Sequence, residues 1–221
     1  MINWNQIDTV LFDMDGTLLD LHYDNQVWSH LLPLHFASAH GLTLEDANFQ
    51  LTTHMREVFG RIEFYCLNYW AKHTGLDVMA PHREAVHLIR WRPNALALVR
   101  ALRNSRKRII LVTNAHRDSL GIKQAHCGIT DEMDAVVSAH DYDVPKESLE
   151  FWQRLNQQHP FDPACTLFID DNAHVLKSAR GYGIAHLLTI AQPDSSRPAR
   201  LGLEHPAIDD FLPHFPVAQL A

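Results

Sequence analysis

Four short apolar runs, separated by helical patterns, most constrain the fold of this chain. The runs lack the polar–apolar alternation of a half-exposed strand, which is typical of strands buried on both faces. Between the runs, apolar residues recur at helical spacing, for example at Leu96, Val99 and Leu102. Strands that alternate with helices predict an α/β fold with a mostly parallel sheet. The runs are TVLF before Asp13, RIILVT before Asn114, TLFID before Asp171 and AHLLTI ending at Ile190, with DAVVSA as a weaker fifth.

The spacing of the runs breaks once, between the first run and the second. A βαβ unit needs about 30 residues, whereas about 95 residues separate these two runs. The surplus is helical in pattern, and its two clearest helices are followed by Gly41 and Gly75, as is typical of helix C-termini. We therefore expect a discontinuous Rossmann-like core, residues 1–19 and 92–221, with an α-helical unit, residues 20–91, inserted after the first strand.

The composition is that of an ordinary globular protein. The chain has 221 residues, of which 46% are hydrophobic and 20% charged, and its net charge is −7. This negative charge argues against a nucleic-acid polymer as a partner, because phosphate backbones bind basic surfaces. No apolar run approaches the roughly 20 residues that cross a bilayer, so we expect no membrane partner. Three separated cysteines and an N-terminus without a signal-peptide pattern predict a cytoplasmic protein.

Polar residues follow three of the apolar runs at the point where each run ends. The carboxyl ends of parallel strands meet at one edge of a sheet, where ligands bind. Four carboxylates at this edge would repel one another, so we expect a cation between them. Oxygen ligands without Cys or His suit Mg²⁺, which favours a phosphate-bearing partner. The residues are Asp13 and Asp15 after the first run, Thr113 and Asn114 at the second, and Asp170 and Asp171 at the third.

The same residues carry a resemblance to a known family. DMDGTL resembles the first motif of the haloacid dehalogenase (HAD) superfamily of hydrolases, VTNA the second, Lys146 in VPKES the third and FIDD the fourth. The motifs occur in order, and the insertion falls where the family carries its helical cap. Within the family, LDLHYDN, FYCLNYW, TNAHRDSL and PKE most resemble GMP/IMP-type purine 5′-nucleotidases. The resemblance implies a Mg²⁺-dependent phosphomonoesterase acting on a small phosphorylated metabolite such as GMP or IMP.

The resemblance also implies a role for each motif residue. Asp13 is expected to attack phosphorus and form an aspartyl-phosphate, while Asp15 protonates the leaving alkoxide and then activates water. Asp170 is expected to hold Mg²⁺ together with the Asp13 carboxylate and the Asp15 backbone carbonyl. Asp171 has two open roles, metal binding through water or orientation of Lys146. The expected phosphate-binding residues are Thr113, Asn114 and Lys146, of which the lysine also supports the nucleophile.

Several alternatives stay open. A broad sugar-phosphate or phosphoglycolate phosphatase and a phosphomutase would share these motifs, whereas dehalogenating relatives lack an acid at the position of Asp15. A non-catalytic binding protein would be expected to have lost the nucleophile or the acid, and this chain keeps both. Trp28 and Tyr65 either stack on a purine or form the core of the cap, and His116 either lines the site or belongs to the first turn of a helix. The 16 histidines include no HExxH motif and no cysteine partner, so we expect no zinc site.

Overall fold

A six-stranded parallel sheet forms the centre of the computed structural model, which describes residues 2–212. The strand order is β3-β2-β1-β4-β5-β6, and every neighbouring pair is parallel. The strands are β1 (Thr9–Phe12), β2 (Arg108–Thr113), β3 (Ala135–Ser138), β4 (Thr166–Ile169), β5 (His186–Ile190) and β6 (Ala207–Ile208). The predicted parallel α/β fold is confirmed, and the two-residue β6 adds an edge strand too short to leave a pattern in the sequence.

Every side chain of the two central strands, β1 and β4, is buried, which shows that both faces of the sheet are covered. Val10 and Phe12 of β1 belong to one hydrophobic cluster and Leu11 to another, as expected for side chains that alternate between faces. The helices are α1 (His22–Gln26), α2 (Leu32–His40), α3 (Leu44–Val58), α4 (Ile62–Tyr65), α5 (Leu67–Thr74), α6 (Met79–Glu84), α7 (Ala95–Asn104), α8 (Arg117–Cys127), α9 (Leu149–Gln158) and α10 (Ala173–Tyr182). Residues of α7 and α8 pack in the first cluster, and residues of α9 and α10 pack in the second.

The segment from His22 to Leu88, between β1 and β2, is mostly helical, with α1 to α6 in succession. Helices α2, α3 and α5 share a third hydrophobic cluster, in which Trp70 is fully buried beside Leu32 and Leu51. Gly41 and Gly75 follow α2 and α5 with φ of 64° and 72°, the left-handed conformation that ends a helix. We propose that this helical unit, residues 20–91, is a cap over a core formed by residues 1–19 and 92–221. Residue 1 and residues 213–221 of that core lie outside the described residues.

The register of the sheet brings the ends of three strands together. Phe12, the last residue of β1, pairs with Leu111 of β2 and with Ile169, the last residue of β4. The residues that follow these strands therefore lie at one edge, which is the edge where open parallel sheets bind ligands. Among the described residues, no helix is both long and apolar enough to cross a membrane.

Candidate active site

Asp13 and Asp170 directly follow the neighbouring strands β1 and β4, and the ammonium group of Lys146 lies between their carboxylates. Lys146 Nζ donates to Asp13 Oδ1 at 2.6 Å and to Asp170 Oδ2 at 2.7 Å. A third hydrogen bond, to the carbonyl of Val112 at 3.1 Å, ties the same ammonium group to β2. All three charged side chains are buried. The structure thus holds one ammonium group in a fixed position beside two buried carboxylates.

Asp15 has a different partner, Lys123, which is absent from the sequence predictions. Lys123 Nζ donates to Asp15 Oδ1 at 2.6 Å and to Asp24 Oδ1 at 2.8 Å. Lys123 is only 1% exposed, and it follows the buried Ser119 and Leu120 by four and three residues along α8. A lysine on the inward stripe of an amphipathic helix is the sequence signal by which a buried lysine of this kind can be found.

The protonation of the two acids in DMDGTL is set by burial against these ammonium groups. Burial raises the pKa of Asp13 to about 7, with Asp170 adding to the rise and Lys146 opposing it. Burial and the nearby Asp24 raise the pKa of Asp15 to about 7, although Lys123 acts in the opposite direction. Near neutral pH both carboxyl groups are therefore divided between their protonated and ionised forms.

The charged form of each lysine is favoured by its neighbours. Burial by itself would lower the pKa of Lys123 and of Lys146, but two carboxylates beside each ammonium group raise both pKa values above the usual range. Both lysines therefore stay charged at any pH at which the protein is studied.

The carboxylates outnumber the ammonium groups, which fits a bound cation. Asp13, Asp170 and Asp171 each place a carboxylate oxygen within 4.8 Å of the other two. Burial and the Asp13 charge raise the pKa of Asp171 to about 7, and burial raises that of Asp170 to about 6. Uncompensated carboxylate oxygens with no sulfur or nitrogen ligand among them suit Mg²⁺. Of the two roles open for Asp171, the cluster favours metal binding, since Lys146 is held by Asp13 and Asp170.

Gly16 makes this arrangement possible. Its φ of +84° lies in the left-handed region, and a Cβ atom added there would lie 2.8 Å from Asp171 Cγ. The glycine lets the chain turn away from β1 while the carboxylate of Asp171 approaches its backbone.

The predicted phosphate-binding residues lie at the same edge. Thr113 ends β2, and its Oγ1 accepts a hydrogen bond from Ala115 N at 3.0 Å. Asn114 Oδ1 accepts from Lys146 N at 2.9 Å, and Asn114 Nδ2 donates to Glu147 Oε2 at 3.0 Å. The Asn114 side chain therefore anchors the backbone that carries Lys146, a role that its place in the VTNA motif does not predict.

A cavity of about 510 Å³ opens above these residues, within the size range of small-molecule sites. Its floor contains Asp13, Asp15 and Lys146. Its other wall comes from the helical unit, which contributes five aromatic side chains. These are Trp28, Phe59, Phe64, Tyr65 and His82.

The positions of Trp28 and His116 bear on two of the open alternatives. Trp28 both lines the cavity and packs edge-to-face on Trp70, with ring centroids 5.7 Å apart, so it belongs to the wall and to the core of the helical unit. His116 lines the cavity and also precedes the first turn of α8, where its Nδ1 accepts from Asp118 N at 3.3 Å. His116 therefore both lines the cavity and caps α8, whereas stacking of Trp28 on a purine stays a prediction.

One lining residue comes from the C-terminal part of the chain. Arg200 donates to the backbone carbonyl of Asp171 at 2.9 Å and to that of Ile190 at 2.6 Å. It lies in an irregular Pro- and Arg-containing segment, so neither motif nor helical spacing identifies it in the sequence.

Comparisons with known proteins agree with this geometry. The model of the haloacid dehalogenase-like hydrolase family matches residues 7–183. Over 210 residues the chain is 35% identical to the GMP/IMP nucleotidase YrfG of Escherichia coli (strain K12), and the match covers 95% of each protein. A crystal structure of a HAD phosphatase from Thermococcus onnurineus superposes with a TM-score of 0.77 at 16% identity, covering 93% of this chain and 95% of that one.

The fold extends to relatives with other chemistry. The L-2-haloacid dehalogenase of Xanthobacter autotrophicus superposes with a TM-score of 0.62 at 18% identity, covering 94% of this chain and 97% of that one. At such identities the likeness concerns the fold alone. The family match and the 35% identical relative together show that the chain belongs to the haloacid dehalogenase-like hydrolase family of enzymes.

Proposed function

We propose that this protein is a Mg²⁺-dependent phosphomonoesterase that removes the 5′-phosphate of purine mononucleotides such as GMP and IMP. The observation that carries the proposal is the pair Asp13 and Asp15, each with its own buried ammonium group, in the lining of one cavity. The 35% identical relative, a GMP/IMP nucleotidase, supports the substrate class.

Asp13 is the proposed nucleophile. Its carboxylate oxygen forms a bond to phosphorus while the bond from phosphorus to the leaving alkoxide breaks, which gives an aspartyl-phosphate. The ammonium group of Lys146, 2.6 Å from Asp13 Oδ1, orients the carboxylate and offsets the negative charge of an approaching phosphate. Thr113 and the backbone N–H of Asn114 are the proposed partners of the phosphate oxygens.

Asp15 is the proposed general acid and base. Its protonated form gives its proton to the leaving alkoxide, and the resulting carboxylate takes a proton from the water that cleaves the aspartyl-phosphate. A pKa of about 7 suits this exchange, because both forms are populated at neutral pH. A halide leaving group would take no proton, so Asp15 also supports phosphoryl transfer over dehalogenation.

The proposed Mg²⁺ ligands are the carboxylates of Asp13 and Asp170 and the backbone carbonyl of Asp15, with Asp171 close to the same group. A bound Mg²⁺ would supply the positive charge that lets an anionic carboxylate meet an anionic phosphate.

The aromatic wall supports a purine base at the far end of the cavity. Trp28, Phe64 and Tyr65 line that wall. Stacking of a base on an aromatic side chain contributes about 1–3 kcal/mol in single-stranded nucleic-acid sites. The cytoplasmic location and the lack of nucleic-acid and membrane partners remain predictions.

The mechanism is tested by phosphate release from the purified protein with Mg²⁺. We expect Asp13→Asn to abolish turnover and Asp15→Asn to lower kcat by about 10²–10⁴-fold, since acid–base assistance is worth that much. Removal of Mg²⁺ by a chelator should stop turnover, and added Mg²⁺ should restore it. Asp8→Asn, at an exposed acid just before β1, is the matched control and should leave the rate unchanged. Near wild-type turnover of Asp13→Asn would exclude this residue as the nucleophile.

The substrate class is tested separately, by comparing kcat/KM for GMP, IMP, glucose 6-phosphate and phosphoglycolate. Higher values for GMP and IMP support the nucleotidase proposal, whereas the reverse order refutes it and favours a sugar-phosphate or phosphoglycolate phosphatase. A phosphomutase would yield an isomeric phosphate ester instead of inorganic phosphate.

A further inference from the structure

Three potential soft-metal ligands meet where the helical unit contacts the sheet. Cys66, His116 and His140 each place one ligand atom within 4.8 Å of the other two. Cys66 lies between α4 and α5, His116 precedes α8, and His140 follows β3. These positions are far apart in the chain, so no motif spacing in the sequence reveals the group.

We propose that Cys66, His116 and His140 form a binding site for Zn²⁺, distinct from the carboxylates that would hold Mg²⁺. One thiolate and two imidazoles are ligands that Zn²⁺ prefers and Mg²⁺ does not. Zinc bonds of about 2.0–2.3 Å place neighbouring ligand atoms of a tetrahedral site about 3.5 Å apart, so small side-chain movements bring these three atoms into place. The fourth position is left for water, as in zinc sites with three protein ligands.

The surroundings of His140 support the proposal. Its Nε2 atom is buried and has no hydrogen-bond partner among residues 2–212. A buried polar nitrogen without a partner is unfavourable, and coordination to a metal would satisfy it. The rings of His140 and His116 are 4.9 Å apart between centroids and inclined at 70°, so the two imidazoles converge without stacking.

The surroundings of His116 point the same way. Its Nδ1 lies 3.3 Å from Asp118 N and 3.4 Å from Asp118 Oδ2, so contacts with the first turn of α8 hold the ring in place. Its Nε2 makes only a long contact of 3.4 Å with Asn68 Nδ2. A metal ion would replace this contact with a stronger one.

A consequence for turnover follows from where the ligands lie. Cys66 belongs to the helical unit, whereas His116 and His140 belong to the core, and His116 also lines the cavity. A Zn²⁺ ion bound to all three residues would tie the helical unit to the core. Because substrate entry and product release require such units to move, bound Zn²⁺ should slow turnover even when Mg²⁺ is saturating.

The binding test uses the full chain, freed of metal and supplied with excess Mg²⁺. We expect one Zn²⁺ per chain by equilibrium dialysis, and a Co²⁺ adduct with a thiolate-to-metal charge-transfer band. Cys66→Ser should remove the band and weaken Zn²⁺ binding at least tenfold. His140→Asn should also weaken Zn²⁺ binding at least tenfold. Cys165→Ser, at a half-buried free cysteine just before β4, is the matched control and should bind like the wild type.

The proposal is overturned if the wild type binds no Zn²⁺ in excess Mg²⁺, or if Cys66→Ser keeps the wild-type affinity. Should Cys66→Ser fail to fold, His140→Asn decides by the same criterion. A rate measurement adds a second readout, since Zn²⁺ should inhibit the wild type and Cys165→Ser but not Cys66→Ser. Equal inhibition of all three would place the inhibitory zinc at the carboxylates and refute the proposal. The binding result does not depend on which phosphate ester is the substrate.

Discussion

Replacing Lys123 with methionine tests how the structure keeps Asp15 and Asp24 buried. The ammonium group of Lys123 lies 2.6 Å from one carboxylate and 2.8 Å from the other, and the lysine is 1% exposed. Methionine fills a similar volume but leaves both carboxylates without a counter-charge. Removing one partner of a buried ion pair costs about 3–5 kcal/mol, so we expect Lys123→Met to lower the free energy of unfolding by about that amount. This is a large part of the 5–15 kcal/mol typical of a folded domain.

The measurement is urea denaturation of the wild type and the variants at one pH near 7.5. Lys177→Met, at an exposed lysine on α10, is the matched control and should change the free energy of unfolding by less than about 0.5 kcal/mol. Adding Asp24→Asn to Lys123→Met removes one of the two uncompensated carboxylates. The double variant should therefore be more stable than Lys123→Met alone, and it also provides a folded protein if the single variant does not purify.

Two results would refute this reasoning. One is a Lys123→Met protein within about 1 kcal/mol of the wild type, which would mean that the ion pairs contribute little net stability. The other is additivity in the double-mutant cycle, because residues in direct contact should show an interaction energy of about 0.5–3 kcal/mol.

Two further predictions concern stability. Burial lowers the pKa of His82 to about 3, so below pH 6.5 the unfolded chain binds one more proton at this residue than the folded chain, and stability decreases as the pH falls. His82→Asn should therefore reduce the loss of unfolding free energy between pH 6.5 and 4.5 by about 2 kcal/mol. A reduction no larger than that of His30→Asn, at an exposed histidine, would contradict this. Gly16→Ala should be less stable than Gly60→Ala and should release phosphate at least tenfold more slowly than the wild type. Both glycines have a positive φ, but only a methyl group added at Gly16 would meet Asp171. Equal effects of the two substitutions would exclude that contact.

The sequence was sufficient for the fold class and for the strand ends that carry the acids. Buried parallel strands need continuous apolar runs, and their carboxyl ends must share an edge, so the sequence suffices to place Asp13, Thr113 and Asp170 together. The break in strand spacing likewise predicted a helical insertion, because a βαβ connection needs far fewer residues.

Partners across the fold could not be predicted in this way. Lys123 lies on the inward stripe of α8, but only the docking of the helical unit brings Asp24 to the same ammonium group as Asp15. Arg200 reaches the backbone of Asp171 from an irregular segment that has no periodicity to interpret. The double contact of Asn114 with Lys146 and Glu147 depends on the path of one loop.

The sequence by itself determined the sheet and the acids at the strand ends, and it predicts the insertion, because each follows from local spacing along the chain. Only the tertiary structure decided which charges meet, because a buried ion pair depends on distances of about 3 Å between residues remote in sequence. The same holds for Cys66, His116 and His140, whose ligand atoms lie within 4.8 Å of one another although nothing in their spacing indicates a site. The acids and Lys146 are therefore visible in the sequence, whereas the pairing of Lys123 with Asp15 and Asp24 is visible only in the fold.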